Sequence, residues 1–180
     1  RLMRADILPY FSPFIQAGIF ANVDVHVIDA LHQRTPGSEL DALLACALAV
    51  RAPRYGHICI DLDTISETSL TETGVSRAIE DQTELSWPKD SWVRRVSESP
   101  LVHATNSTDS KAISSPFVLD NNRLYMQRYW AYQIRLANTL RMRALRPAKD
   151  LDISELRRVI SCLFPDDPSG MNRQALGVVM

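Results

Sequence analysis

The side chains best able to do chemistry in this 180-residue sequence are its four histidines and three cysteines. They are His26, His32, His57, His103, Cys46, Cys59 and Cys162. The histidines have no partner at the spacing of metal ligands or of a catalytic triad, so we expect structural roles for them. Three distant cysteines indicate neither a disulfide framework nor a zinc site, which favours a reducing, cytoplasmic setting. The sequence predicts no catalytic residue and no metal site.

Asp61 and Asp63 form a pair of carboxylates that could in principle bind a metal ion. They follow a short extended segment, His57 to Leu62. Carboxylates in such positions are usually solvated, so we expect a helix cap and a loop residue instead.

Charge is distributed unevenly, although the net charge is only -1. Residues 61–90 hold eight acids and two bases, whereas residues 116–149 hold one acid and seven bases. The last five of these bases are Arg135, Arg141, Arg143, Arg146 and Lys149. At about 100° per residue they spread around a helix, so we expect a solvated flank with some pairing to the acidic segment. Contact with DNA is the alternative.

Residues 116–145 carry the densest structural pattern and predict a β-hairpin followed by a helix. Asn121 and Asn122 separate two runs rich in β-forming residues, Phe117 to Asp120 and Arg123 to Gln127, and tolerate the positive φ of a tight turn. The predicted helix has an apolar face formed by Tyr129, Tyr132, Leu136 and Leu140 and widened by Trp130, Ile134 and Ala137. We expect this face to be buried against the hairpin. The spacing of Tyr125, Tyr129, Trp130 and Tyr132 favours a core over stacking on single-stranded bases.

Apolar periodicity and turn residues predict the remaining elements. The predicted helices cover about 4–17 with proline interruptions, 22–32, 38–51, 87–97 and a final segment from residue 152. Their expected buried stripes include Val23, Val27 and Leu31, then Leu40, Leu43, Leu44, Ala47 and Leu48, and finally Ile153, Leu156, Ile160 and Leu163. Residues 63–86 are predicted to be a loop with a short helix at 75–80, and residues 104–115 a mobile loop.

These elements indicate a mainly α fold, a small helical domain with one β-hairpin over residues 1–165. Residues 166–180 are predicted to be a linker and the first residues of another domain. The longest apolar run, Leu43 to Val50, is too short to span a bilayer, and the N-terminus lacks the apolar core of a signal peptide. A start at Arg1 and an apolar end suggest a segment of a longer protein.

Three blocks of the sequence resemble the N-terminal region of the exodeoxyribonuclease V alpha subunit family, RecD. They are FIQAGIFANVDVHV at 14–27, LLACALAVRAPRYGHICIDL at 43–62 and PFVLDNNRLYMQRYW at 116–130. NRQALGVV at 172–179 resembles the glutamine motif that precedes the nucleotide-binding loop of superfamily 1 helicases. Order and spacing match as well, and residues 63–86 and 104–115 match least.

The resemblance implies a DNA helicase subunit that works with RecC-like and RecB-like subunits on broken DNA ends. It implies ATP and magnesium in the full-length protein, with Gln174 contacting the adenine and a RecA-like motor domain beginning near this point. The sequence contains no G-x-x-x-x-G-K-[ST] loop to hold the triphosphate, so this segment should be inactive alone. Its implied role is to anchor the motor to the RecC-like subunit.

A winged-helix DNA-binding module is the alternative, because three helices, an extended segment and a hairpin follow in that order. Its recognition helix would be Ser38 to Arg51, which is almost entirely apolar and could not read base edges. The long interval before the hairpin also argues against it. A third interpretation, a free-standing hydrolase, is not supported, because the sequence shows no pairing of a nucleophile with a base.

Overall fold

A computed structural model describes residues 6–72, 85–89, 91–105, 114–146 and 152–164. The helices are α1 Leu8–Gln16, α2 Asn22–Arg34, α3 Leu40–Arg51, α4 Ile65–Glu72, α5 Trp92–Ser97, α6 Gln127–Ala144 and α7 Ile153–Leu163, with a 3-10 helix at Ala52–Tyr55. The strands are β1 Cys59–Asp61, β2 Val102–Thr105, β3 Phe117–Asp120 and β4 Arg123–Met126. The mainly α prediction is confirmed. The chain divides into two compact units, residues 1–134 and 135–180.

Helix α3 forms the centre of the first unit. Every residue from Ala42 to Ala49 is buried, and α3 packs against α2, α5, β1 and β4. A helix that is apolar on all sides gains most when it is covered on all sides, and its alanines allow close approach of neighbouring elements. The predicted burial of Leu43, Leu44 and Leu48 is confirmed, and Leu40 is partly buried against the core.

A four-stranded sheet in the order β1-β4-β3-β2 packs on this helix. Strands β3 and β4 form the predicted antiparallel hairpin, with Asp120 opposite Arg123 and Asn121 at a φ of 51°. Strand β1 adds antiparallel to β4, and β2 adds parallel to β3. Successive side chains point to opposite faces, so Leu124 joins the main core while Tyr125 joins a small second cluster.

Several predicted elements differ from the structure. The segment after Asp63 contains α4, while the short helix predicted at 75–80 lies outside the described residues. Ala104 and Thr105 belong to β2, not to a mobile loop, because β3 provides a parallel partner. Helix α5 begins only at Trp92, since Trp87 packs edge-on against Phe14 at 5.1 Å and Ser91 has a φ of 64°.

The buried face of α2 was predicted only in part, since Leu31 packs against the core and Val27 is half-buried. Val23 is exposed, and the buried side chains are Asp24, Val25 and Ile28. The Asp24 carboxylate accepts a hydrogen bond from the Ala21 amide at 2.8 Å and pairs with Arg54. These contacts turn Asp24 inward and place the apolar face one residue away from the predicted one.

The apolar stripes of α6 and α7 are not buried as predicted. Trp130 is buried, but Tyr132, Leu136 and Leu140 are exposed. Helix α7 contains no buried residue, and both Ile153 and Leu163 are exposed. The physical reason is that none of the described residues in the same unit covers these side chains.

Candidate functional site

The two aspartates singled out in the sequence connect β1 to the hairpin turn. An Asp61 carboxylate oxygen accepts a hydrogen bond from the Asp63 amide at 3.1 Å, and the other lies 3.7 Å from the Arg123 guanidinium. The Asn122 amide donates to the Asp63 carboxylate at 2.5 Å, and the Asn122 carbonyl accepts from the Leu62 amide at 2.9 Å. Both carboxylates therefore stabilise a turn, which is a structural role.

A cavity of about 280 Å³ lies beside this turn. Its lining includes Arg51, His57, Cys59, Thr64 and Arg123. The buried Arg51 guanidinium stacks on the Tyr55 ring, 3.9 Å from the ring centroid. Such stacking holds the guanidinium in place. Asp61 also lines the cavity and pairs with Arg123, so the polar wall carries charges of both signs.

The histidines remain scattered in three dimensions. His32 pairs with Asp6 through a 2.9 Å contact, while His26 and His103 are exposed. Across the described ranges, no group of three or more histidine, cysteine or acidic side chains is placed to hold a metal ion.

An ion pair between Asp24 and Arg54 joins α2 to the 3-10 helix. Arg54 Nη1 donates to Asp24 Oδ1 at 2.7 Å, and Arg54 Nη2 donates to Asp24 Oδ2. This hydrogen bonding raises the pKa of Arg54. Sequence reasoning missed the pair. The three-residue spacing from Ala21 to Asp24 signals a cap, but Arg54 lies 30 residues further on, where no local pattern points to it.

A second polar network connects α1, α3 and α5. Tyr10 donates a hydrogen bond to the Asp41 carboxylate, which also pairs with Arg95 at 2.7 Å. The Trp92 indole donates to the Asp41 carbonyl at 2.9 Å. Burial, and then the bond to Asp41, raise the pKa of Tyr10 well above its usual value. The Asp41 network joins α1 and α5 to the start of α3, and the Asp24–Arg54 pair joins α2 to the 3-10 helix that follows the end of α3.

The basic part of α6 is solvated. Arg135, Arg141, Arg143 and Arg146 are all exposed, and none forms an ion pair with a described residue. The expected pairing with the acidic segment stays a prediction, because residues 73–84 and 90 of that segment, and Lys149, lie outside the described residues.

The hairpin aromatics divide into core and surface. Tyr125 and Trp130 meet edge-on at 5.1 Å in the small second cluster, which confirms a core role for both. Burial raises the pKa of Tyr125. Tyr132 is exposed instead.

Gln174 lies outside the described residues. Among the helices that the structure describes, none combines the length and apolarity required to cross a bilayer.

Comparison with known proteins assigns the family. A family model described as "RecBCD enzyme subunit RecD, N-terminal domain" matches residues 16–125. The chain belongs to the RecD family. It is 31% identical over 156 residues to a "RecBCD enzyme subunit RecD" from Mycobacterium tuberculosis, a match covering 84% of this chain and 22% of that protein. The protein of the same name from Mycolicibacterium smegmatis is 31% identical over 118 residues, covering 63% of this chain and 17% of the relative.

The matched range of the RecD N-terminal domain coincides with most of the first unit. It begins at the end of α1 and ends within β4, so it contains α2, α3 and all four strands. Helices α6 and α7 follow it. The chain spans about a fifth of the length of the RecD relatives it matches. In this RecD domain α3 is buried on all sides, so it offers no face to a DNA groove as a winged-helix module would.

Proposed function

We propose that this chain is the N-terminal, non-catalytic docking region of a RecD-like helicase subunit of exodeoxyribonuclease V. It anchors the motor to RecC-like and RecB-like subunits in an enzyme that repairs double-strand breaks for recombination. DNA is engaged by the assembled complex. ATP and magnesium bind to the motor part of the full-length polypeptide, where Gln174 contacts the adenine.

The observation that carries this proposal is the match of residues 16–125 to the N-terminal domain of a protein named as a subunit. The matched range corresponds to a domain with its own buried core. A domain of this kind can present a rigid surface to a partner while chemistry takes place elsewhere in the polypeptide.

The exposed apolar side chains near the 3-10 helix support a docking surface in this unit. Val23 is 54% exposed and Ile58 is 49% exposed, and Tyr55 is also exposed. Val23 and Tyr55 are the chain neighbours of Asp24 and Arg54, so the ion pair holds them in one region of the domain. Tyrosine is a typical anchor of a protein interface, and exposed aliphatic side chains add apolar contact area.

Co-purification with the RecC-like and RecB-like subunits of the same organism tests the proposal, scored by size exclusion with and without single-stranded DNA. We expect the chain to be retained on the partner subunits without DNA. The double variant Val23→Glu, Ile58→Glu should bind at least about tenfold more weakly, because it places two charges in a desolvated contact. His103→Glu, which adds charge at an exposed site on β2, should be retained as the wild type is.

Failure of the wild-type chain to be retained would overturn the docking role. Salt-sensitive DNA binding in its place would favour the DNA-binding alternative, with the basic part of α6 as the next site to test. Retention of the double variant at wild-type strength would leave the docking role standing and exclude the surface around Val23 and Ile58.

A further inference from the structure

The second unit, residues 135–180, carries an apolar face that none of its described residues covers. Leu136 and Leu140 lie one turn apart on α6 and are 60% and 55% exposed. On α7, Ile153 and Leu163 are exposed, and Leu156 and Ile160 are only half-buried. Exposed apolar side chains grouped on one face of a helix mark surfaces that another protein segment covers.

Helix α7 has the stronger need for a covering surface. It has 11 residues and no buried side chain, and its apolar residues recur at the spacing of one helix face. A helix of this length is marginal in water, so it is stabilised mainly when an amphipathic face is packed. A permanently bound segment would stabilise α7 at all times, whereas a transient partner would leave it marginally stable when absent.

Charge restricts the chemistry of the covering surface. Residues 127–146 contain five arginines and no acid. At about 100° per residue, Arg135 and Arg143 lie about 100° and 20° to the same side of Leu136 on α6. The apolar face is thus bordered by guanidinium groups that pair with none of the described residues of the second unit. An apolar surface with carboxylates along one edge is complementary to it.

The position of these helices indicates where that surface comes from. The N-terminal domain model ends at residue 125, before α6, while the match to the Mycobacterium tuberculosis relative covers 84% of this chain. That match must therefore extend past residue 125 into the region of α6. Yet the matched region is only 22% of the relative. Most of a polypeptide of that length lies beyond the match and is attached to it covalently, at a high effective concentration.

We propose that the apolar face of Leu136, Leu140 and α7 is covered by the remainder of the same full-length polypeptide, through an apolar surface with carboxylates along its edge. The inference rests on the proposed function only in taking this chain as the N-terminal part of a longer protein. This segment is then an internal connection, separate from the surface that meets the partner subunits.

Amide hydrogen exchange on two wild-type proteins tests the inference without any variant. The 180-residue chain and the full-length polypeptide are compared, each without partner subunits or DNA. We expect the amides of residues 153–163 and of the second half of α6 to exchange at least about tenfold more slowly in the full-length polypeptide. Equal exchange in the two proteins would overturn the proposal.

Other outcomes of the exchange experiment would show that a partner subunit, DNA or a second copy of the chain covers this face instead. Protection that appears only when RecC-like and RecB-like subunits are added would make the covering surface a partner subunit, which overturns this inference and keeps the docking role. Protection only with DNA would assign the face to nucleic acid. Protection in the 180-residue chain that rises with its concentration would assign the face to a second copy. Each of these results rejects the internal connection.

A matched pair of variants in the full-length polypeptide locates the contact. Leu140→Glu places one negative charge in the apolar face, and Asn138→Glu places one on the opposite side of the same helix, about 160° away. We expect Leu140→Glu to raise exchange of residues 153–163 several-fold and Asn138→Glu to leave it unchanged. Equal effects of the two would show that α6 is not part of the covered face.

Discussion

Replacing either member of the Asp24–Arg54 ion pair should destabilise the first unit, but the two changes should not cost the same. The Asp24 side chain is 0% exposed and the Arg54 side chain 39% exposed. Arg54→Ala leaves a fully buried carboxylate whose remaining hydrogen bond is the one from the Ala21 amide at 2.8 Å. Asp24→Asn leaves a guanidinium that can turn into water, and the new side-chain oxygen can still accept from Ala21. The difference in exposure therefore predicts the order of the two effects.

The size of each loss in unfolding free energy depends on which group remains after the substitution. Breaking a buried pair by removing one partner costs about 3–5 kcal/mol of unfolding free energy, and the partial exposure of Arg54 favours the lower end, about 3 kcal/mol. Asp24→Asn removes charged hydrogen bonds but retains the cap, so we expect a loss of about 1.5 kcal/mol. The double variant contains no buried unpaired charge. It should lose less than Arg54→Ala alone, so that Asp24→Asn becomes stabilising when Arg54 is absent.

Urea denaturation followed by tryptophan fluorescence measures these differences. Trp87, Trp92 and Trp130 all lie in the same unit as the pair, so their emission reports its unfolding. The control is Arg94→Ala, which removes an exposed pair with Glu98 at 2.8 Å and should cost less than about 0.5 kcal/mol. The reasoning is refuted if Arg54→Ala costs no more than Asp24→Asn, or if the losses of the two single variants simply add.

Three further predictions concern other contacts. Tyr10→Phe removes the hydrogen bond to Asp41 and should cost about 1–2 kcal/mol at neutral pH. Burial raises the pKa of Tyr10 above its usual value of 10.0. The stability that Tyr10 contributes is therefore complete below about pH 10 and is lost as the pH rises above it. In urea melts, the unfolding free energy of the Phe variant should fall less steeply at alkaline pH than that of the wild type. Trp130→Ala should cost about 3–5 kcal/mol in the same melts, and a loss below about 1 kcal/mol would contradict its packing on Tyr125. The pKa of Asp152 is lowered by hydrogen bonds, first from the Ser154 hydroxyl and then from the Glu155 and Ser154 amides. The cap that Asp152 forms on α7 is therefore present above about pH 4 and is lost as the pH falls below that value. Circular dichroism should show an acid loss of helix that Asp152→Ala reduces, while the Glu155–Arg158 pair on the same helix keeps part of it. An acid transition that Asp152→Ala leaves unchanged would exclude the cap.

Local features of the fold could be predicted from the sequence because their causes are local. The hairpin follows from Asn121 and Asn122 between two β-forming runs, and the burial of α3 follows from a sequence that is apolar on every side. The parallel pairing of β2 with β3 could not be predicted, because Val102 opposite Phe117 is a contact between separate segments. The Asp24–Arg54 pair was missed for the same reason, and it is the contact that moved the buried face of α2.

The apolar stripes of α3 and α6 show a second limit of prediction from sequence, which concerns what covers an apolar helix face. Both read as buried from their periodicity, yet Leu44 is fully buried and Leu140 is exposed among the described residues. Hydrophobic spacing fixes which face of a helix is apolar, because it depends only on positions along that helix. Which molecule covers that face depends on residues elsewhere, and for α3 those residues are present in the first unit. For α6 no described residue of the second unit covers the face, and in our proposal the arginines beside Leu136 indicate the charge of the surface that does.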